Sequence, residues 1–153
     1  MQSEVLNPFI DAALYVLQTS ASLTAEIVEP YRKTTNAPEG DITCMLTVSG
    51  EFNGSVSVTY TKECILGIVS NMFGEEMSEL NDEIKDAAGE VTNMIAGQVT
   101  TKLAEAGKSL VAKPGEVLME EGHTVDHIEG LPVIAVPYKT EKGTFTIEFC
   151  FEQ

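Results

Sequence analysis

The chain has 153 residues, of which 43% are hydrophobic, enough for one domain with a real core. Its formal net charge of −15 argues against nucleic acid and against an anionic membrane as partners, since both need a basic surface. Such a chain suits a partner with exposed lysines.

No apolar run approaches the roughly 20 residues of a membrane-spanning helix. The opening MQSEVLNPF lacks the basic start of a signal peptide. Cys44, Cys64 and Cys150 are odd in number and set among apolar residues. They read as buried free thiols of a cytoplasmic protein rather than a disulfide framework.

The first helix is expected to begin at Asn7, with Asn7 as its cap and Pro8 at the first helical position. Phe9, Ala13, Val16 and Leu17 give it an apolar face. Arg32 to Asp41 reads as a loop by its Pro and Gly content. Ile42, Cys44, Leu46 and Val48 then alternate with other residues as in a half-buried strand. Asn53-Gly54 is a strong hairpin signal, and Val56, Val58 and Tyr60 continue the alternation on the return. A short helix follows from Lys62 to Met72, ending near Gly74.

Asn81 to Gly107 predicts the longest helix. Asn81 or Asp82 caps its start, and Gly107 sits where a C-terminal glycine belongs. Ile84, Ala88, Val91, Ile95, Val99 and Leu103 recur at spacings of three and four, forming one apolar face. Ser109 to Val117 and the region from His123 to Ile128 are expected to add strands or an edge segment. Val133 to Tyr138 predicts a strand, Lys142-Gly143 a turn, and Phe145, Ile147, Phe149 and Phe151 a strand with a strongly apolar face. Helix, linker and hairpin thus occur twice. The fold class is therefore read as α/β (α+β), in one domain spanning residues 1–153. A pseudo-twofold repeat of helix plus β-hairpin forms one sheet with helices packed on it.

His123 and His127 are four apart, but the segment does not read as a helix and suggests no third ligand, so no metal is expected. The cysteines lack a nearby histidine signature. There is no GxSxG, no GxxxxGK loop and no dinucleotide fingerprint. An enzyme of this sequence must borrow chemistry from its substrate.

The polar side of the long helix is the remaining source. Asp86, Glu90, Asn93 and Gly97 fall on one stripe opposite Ile84 and Ile95, and Glu90 and Asn93 are neighbours three apart. Gly97 on that stripe lets another surface approach closely. From periodicity alone this is an ordinary solvated face.

E-V-T-N preceded by Asp86 resembles the signature of the CheC/CheX/FliY family, bacterial phosphatases of the chemotaxis response regulator. That pattern is an acidic residue or serine, three residues, Glu, two residues, Asn, and a proline roughly twenty positions on. Asp86, Glu90 and Asn93 match it, and Pro114 lies slightly nearer than usual. The opening NPFIDAALYVL, the hairpin around Asn53-Gly54 and the closing hairpin extend the likeness over essentially the whole chain.

The resemblance implies Asn93 as the group orienting an attacking water and Glu90 as the contact to a lysine of a phosphorylated CheY-like receiver. Asp86, Met94 and Gly97 would belong to the partner-binding surface. It implies no cofactor bound by this chain, with Mg2+ carried by the receiver, and a homodimer joined by sheet edges such as that of Phe145 to Phe151. Glu4 and Asn7 form a second E-x-x-N. With Asn7 as a cap and Glu4 ahead of the helix, that pair reads as structural, so the chain looks like a one-site member. The alternative is a non-catalytic module of the same fold that docks to a receiver or another signalling protein.

Overall fold

The computed structural model describes residues 3–152; the first two residues and the last of the expected domain lie outside them. In chain order it runs α1 (Ser3–Ala21), β1 (Glu26–Ile27), β2 (Tyr31–Lys33), β3 (Ile42–Gly50), β4 (Gly54–Tyr60) and α2 (Lys62–Phe73). Then follow α3 (Asp82–Glu105), β5 (Leu110–Leu118), β6 (Val133–Thr140) and β7 (Gly143–Phe151).

The strands form one antiparallel sheet in the order β1-β6-β7-β4-β3-β5, with β2 also paired to β6. The hairpins β3-β4 and β6-β7 meet at the centre, where β4 pairs with β7. Each half also lends strands to the other. β1 and β2, which precede the first hairpin, pair with β6 of the second. β5, which precedes the second hairpin, pairs with β3 of the first. This is the expected pseudo-twofold plan, with the outer strands exchanged.

The helices pack on one face of the sheet. That face is built from the alternating residues Ile42, Cys44, Leu46, Val56, Val58, Ile147 and Phe149, all buried. Phe9 of α1 meets Phe149 of β7 edge-on at 5.5 Å, and Tyr138 stacks on Phe145 at 4.5 Å. α3 lays Ile84, Ala88, Val91, Ile95, Val99 and Leu103 into this core.

The ends of α3 follow the sequence. The Asn81 side chain accepts from the Ile84 N–H at 3.0 Å. At the other end Lys108 N–H bonds the Leu103 carbonyl and Gly107 N–H the Ala104 carbonyl. Gly107 takes a positive φ of 78°, so this is a Schellman ending.

Five expectations are corrected. α1 begins at Ser3, not Asn7, because Val5 and Leu6 join Phe9 in the core and draw an extra turn onto the helix. Pro8 therefore lies inside the helix, where it forgoes one bond, to the carbonyl of Glu4. Glu4 and Asn7 are thus helical and exposed, one turn apart. Arg32 and Lys33 belong to β2 rather than to a loop.

The first hairpin bends at residues 51–53, and Gly54 already lies in β4. A Cβ there would stand 2.2 Å from the Cys150 carbonyl oxygen, so glycine serves the close approach of β7. His123 to Ile128 forms no strand. Finally, β7 is not an edge: it lies between β6 and β4. The free edges belong to β5 and to β1 with β2.

Candidate functional site

α3 is the longest helix, capped at both ends, and its outward stripe is the expected one. Asp86, Glu90, Asn93, Met94 and Gly97 are all exposed. Glu90 and Asn93 project from adjacent turns of one face. Among the described residues, no side-chain partner holds Asp86, Glu90 or Asn93. All three are free to meet another molecule.

The stripe forms one wall of a cleft of about 650 Å³. Lys85, Asp86, Gly89, Glu90 and Asn93 line that wall; Pro114, Glu116 and Leu118 of β5 line the other, and Cys44 and Met45 lie on the floor. Pro114 is tolerated because β5 is an edge strand and needs no second ladder bond there. The register of β3 and β5 shifts between Cys44 and Leu46, where Leu46 faces Pro114. Gly115 follows, and a Cβ on it would press to 3.2 Å on the Met45 carbonyl oxygen. The sequence pattern Asp86, Glu90, Asn93 and Pro114 is thereby gathered around one opening.

A Cβ added at Gly97 would meet nothing within 4 Å, so this position opens toward solvent. Gly89 would place a Cβ 3.7 Å from Val117, an ordinary contact. Burial pushes the Cys44 thiol up to about 11, which keeps it protonated and unreactive at neutral pH. The cleft therefore presents a carboxylate at Glu90 and a carboxamide at Asn93 beside a protonated Cys44.

The two histidines do not converge. His123 Nε2 lies 2.9 Å from Thr43 Oγ1 and its Nδ1 is 2.8 Å from the Glu120 carbonyl. His127 lies 2.6 Å from Ser55 Oγ by Nδ1 and 3.1 Å from Glu148 Oε1 by Nε2. Among the described residues, no cluster of three or more His, Cys, Asp or Glu could hold a metal ion.

Sequence reasoning missed the buried network around Glu148. Its other oxygen takes the Lys33 ammonium at 2.7 Å, with both side chains nearly inaccessible. Lys33 also donates to the Ala37 carbonyl. The available signal was one charged residue in the apolar run TFTIEFCF. Ser55, His127 and Glu148 resemble a hydrolytic triad by connectivity, but the arrangement is not one. His127 and Glu148 line a cavity of about 420 Å³, and Ser55 does not. The network pins the segment after β5 to the polar back of the sheet.

The model of the family described as chemotaxis phosphatase CheX matches residues 42–139. A chemotaxis protein CheX from Desulfovibrio desulfuricans superposes with a TM-score of 0.85 at 42% identity, over 97% of this chain and 99% of that one. The CheY-P phosphatase CheX of Thermotoga maritima is 24% identical over 77% of each chain. The CheX–CheY–BeF3–Mg2+ complex from Borrelia burgdorferi contains a chain of the same fold, with a TM-score of 0.79 at 22% identity and 97% of each chain covered.

Proposed function

From the premise that this chain belongs to the CheX family of chemotaxis phosphatases, we propose that it hydrolyses the aspartyl phosphate of a CheY-like response regulator. The observation that carries this reading is the joint exposure of Glu90 and Asn93 on one face of α3, at the mouth of the cleft facing Pro114. The names of the Thermotoga relative and of the Borrelia complex support the choice of substrate.

The acyl phosphate is already activated, and its receiver carries the Mg2+ that offsets charge on the phosphoryl oxygens. What this chain adds is geometry. The Asn93 carboxamide holds a water in line with phosphorus, as an amide does in GTPases. The water oxygen bonds to phosphorus as the bond to the aspartyl oxygen breaks. The aspartate leaves as carboxylate, and the phosphate keeps the oxygen and both protons of the water, leaving as dihydrogen phosphate. Glu90 takes an ammonium of the receiver in a charge-assisted contact, which fixes the docked pose. Asp86, Met94 and Gly97 complete the docking face. Positioning of this kind can supply several kcal/mol, within the roughly 7–11 kcal/mol available to ideal orientation.

The whole described chain works as one phosphatase domain, in the cytoplasm. All three cysteines are free and buried, which suits a reducing compartment. Among the described residues no helix is long and apolar enough to cross a membrane. The chain also pairs with a second copy, through the edge of β1 and β2, where Ile27, Val28 and Tyr31 stand exposed. Sedimentation equilibrium that returns a monomer at high concentration removes the dimer.

The test of the activity is phosphate release from a phosphorylated receiver. Asn93→Ala should abolish most of the stimulated release while leaving stability within about 0.5 kcal/mol. Glu90→Ala should lose turnover with a larger share of the loss in KM. Full activity in a folded Asn93→Ala protein would put a non-catalytic docking module ahead.

A further inference from the structure

Within the E-V-T-N stretch, Thr92 is the polar residue that the reaction does not use. It is buried on the inner side of α3, two residues after Glu90 and one before Asn93. Its hydroxyl donates to the Ala88 carbonyl at 2.9 Å. That commits its single proton, so the contact of 3.0 Å with Tyr60 Oη is a bond donated by tyrosine. Tyr60 is itself fully buried. It ends the central strand β4, its backbone carbonyl takes the Asp41 N–H, and its ring leans on Phe145 at 5.9 Å. Thr61, the next residue, caps α2. Tyr60 is therefore anchored by the sheet through its backbone and its ring.

The rest of the inner face of α3 is apolar, Ile84, Val91, Ile95, Val99 and Leu103 with Ala87, Ala88 and Ala96 among them, and its packing is non-directional. An apolar stripe of that kind holds a helix by shape alone and can repack around a small rotation about the axis. A buried hydrogen bond with a fixed partner cannot, since breaking it leaves an unpaired hydroxyl in the core. Successive residues differ by about 100° around the helix, so an inward bond at Thr92 sets where Glu90 and Asn93 point.

We infer that Tyr60 and Thr92 are positioning residues: their hydrogen bond fixes the rotation of α3 and thereby the angle at which Asn93 meets the phosphoryl group. This rests on the hydrolytic reading of Asn93. Tyr60 does not line the cleft, and Thr92 borders it while only 1% exposed, so both act through the helix rather than on the phosphoryl group. Small displacements of an orienting group cost rate steeply, up to about a hundredfold per ångström.

The test compares Tyr60→Phe, Thr92→Val, Thr92→Ser and the Tyr60→Phe/Thr92→Val double variant in phosphate release from a phosphorylated receiver. Circular dichroism and thermal melts establish a temperature at which each is fully folded. Tyr60→Phe and Thr92→Val should each lower kcat by about five- to tenfold with KM within about twofold. The double variant should lose no more than the worse single one, because either single change already removes the bond between the two hydroxyls. Thr92→Ser should return kcat to within about twofold of the parent, since it restores the hydroxyl.

A merely structural bond would lower the melting temperature and leave kcat of the folded protein unchanged, and that result overturns the inference. Losses that multiply in the double variant also overturn it. If Thr92→Val does not fold, Tyr60→Phe and Thr92→Ser decide the matter between them. If Asn93→Ala is inactive while Tyr60→Phe keeps the parent kcat, this inference alone fails. If Asn93→Ala is as active as the parent, the hydrolytic reading fails and takes this inference with it.

Discussion

The carboxylate of Glu4 holds the ammonium of Lys108 at 2.6 Å, which ties the first turn of α1 to a residue three positions beyond the end of α3. The Lys108 ammonium keeps the Glu4 carboxyl below the usual carboxylate range. Glu90 has no such partner among the described residues. The two E-x-x-N stretches are therefore both helical and both exposed, and they differ in whether the glutamate is already engaged.

Glu4→Gln should accordingly leave phosphate release within about twofold of the parent. Asn7→Ala should stabilise the fold slightly, by roughly 0.5 kcal/mol, because Asn7 lies inside α1 where alanine is the better helix former. That is the opposite sign from the loss of a cap. Thermal melts and turnover assays read both. A loss of turnover of about tenfold or more in well-folded Glu4→Gln would show a second working site on α1.

Gly97→Ala separates stability from docking. A Cβ at this position meets nothing within 4 Å, so alanine should fit without strain. Replacing a helix-interior glycine should add about 1 kcal/mol of stability. If Gly97 lets the receiver approach closely, the same change should raise KM severalfold. A more stable protein with the parent KM would remove Gly97 from the docking face.

Alkaline pH should weaken the fold through the buried thiols. Burial pushes Cys44 up to about 11 and Cys64 up to about 12, from an ordinary value of 9.0. Above that ordinary value the unfolded chain sheds protons that the folded chain keeps. The stabilisation is therefore complete below about pH 9 and falls as pH rises toward the folded values. Each thiol can contribute a slope of up to about 1.4 kcal/mol per pH unit. Urea melts at roughly pH 8, 9.5 and 10.5 should show the fall, and Cys44→Ala should flatten it. Equal slopes in parent and variant would show that Cys44 does not contribute.

The parts of this molecule that are legible in sequence are those specified locally. α3 announces itself by two opposed stripes, an asparagine cap and Gly107, and each of these is where the pattern puts it. The same holds for β3, β4, β6 and β7, whose alternation is strong. β1 and β2 are two and three residues long and exist because β6 pairs with them, so no local period marks them. The start of α1 is hidden because Pro8 is a strong local signal, while the burial of Val5 and Leu6 that outweighs it is a tertiary effect. At the site, Glu90 and Asn93 are readable as neighbours on a helix. Of the facing wall only Pro114 is marked, and that by the family pattern; Glu116 and Leu118 are not, since β5 is set beside α3 through its pairing with β3. The Lys33–Glu148 pair likewise joins residues far apart in the chain.

The exchange of outer strands between the halves has a kinetic consequence. Glu26 pairs with Lys139, so the sheet cannot close until nearly the whole chain has been brought together. Neither half can finish its own sheet, and a partly synthesised chain would present β3 with an open flank until β5 is made. Such long-range pairings make the contact order high, which slows folding and concentrates it into one cooperative step. The same interlocking would hold the two halves together after a single cut in the connection between α2 and α3, because β1 and β2 would still pair with β6, and β5 with β3.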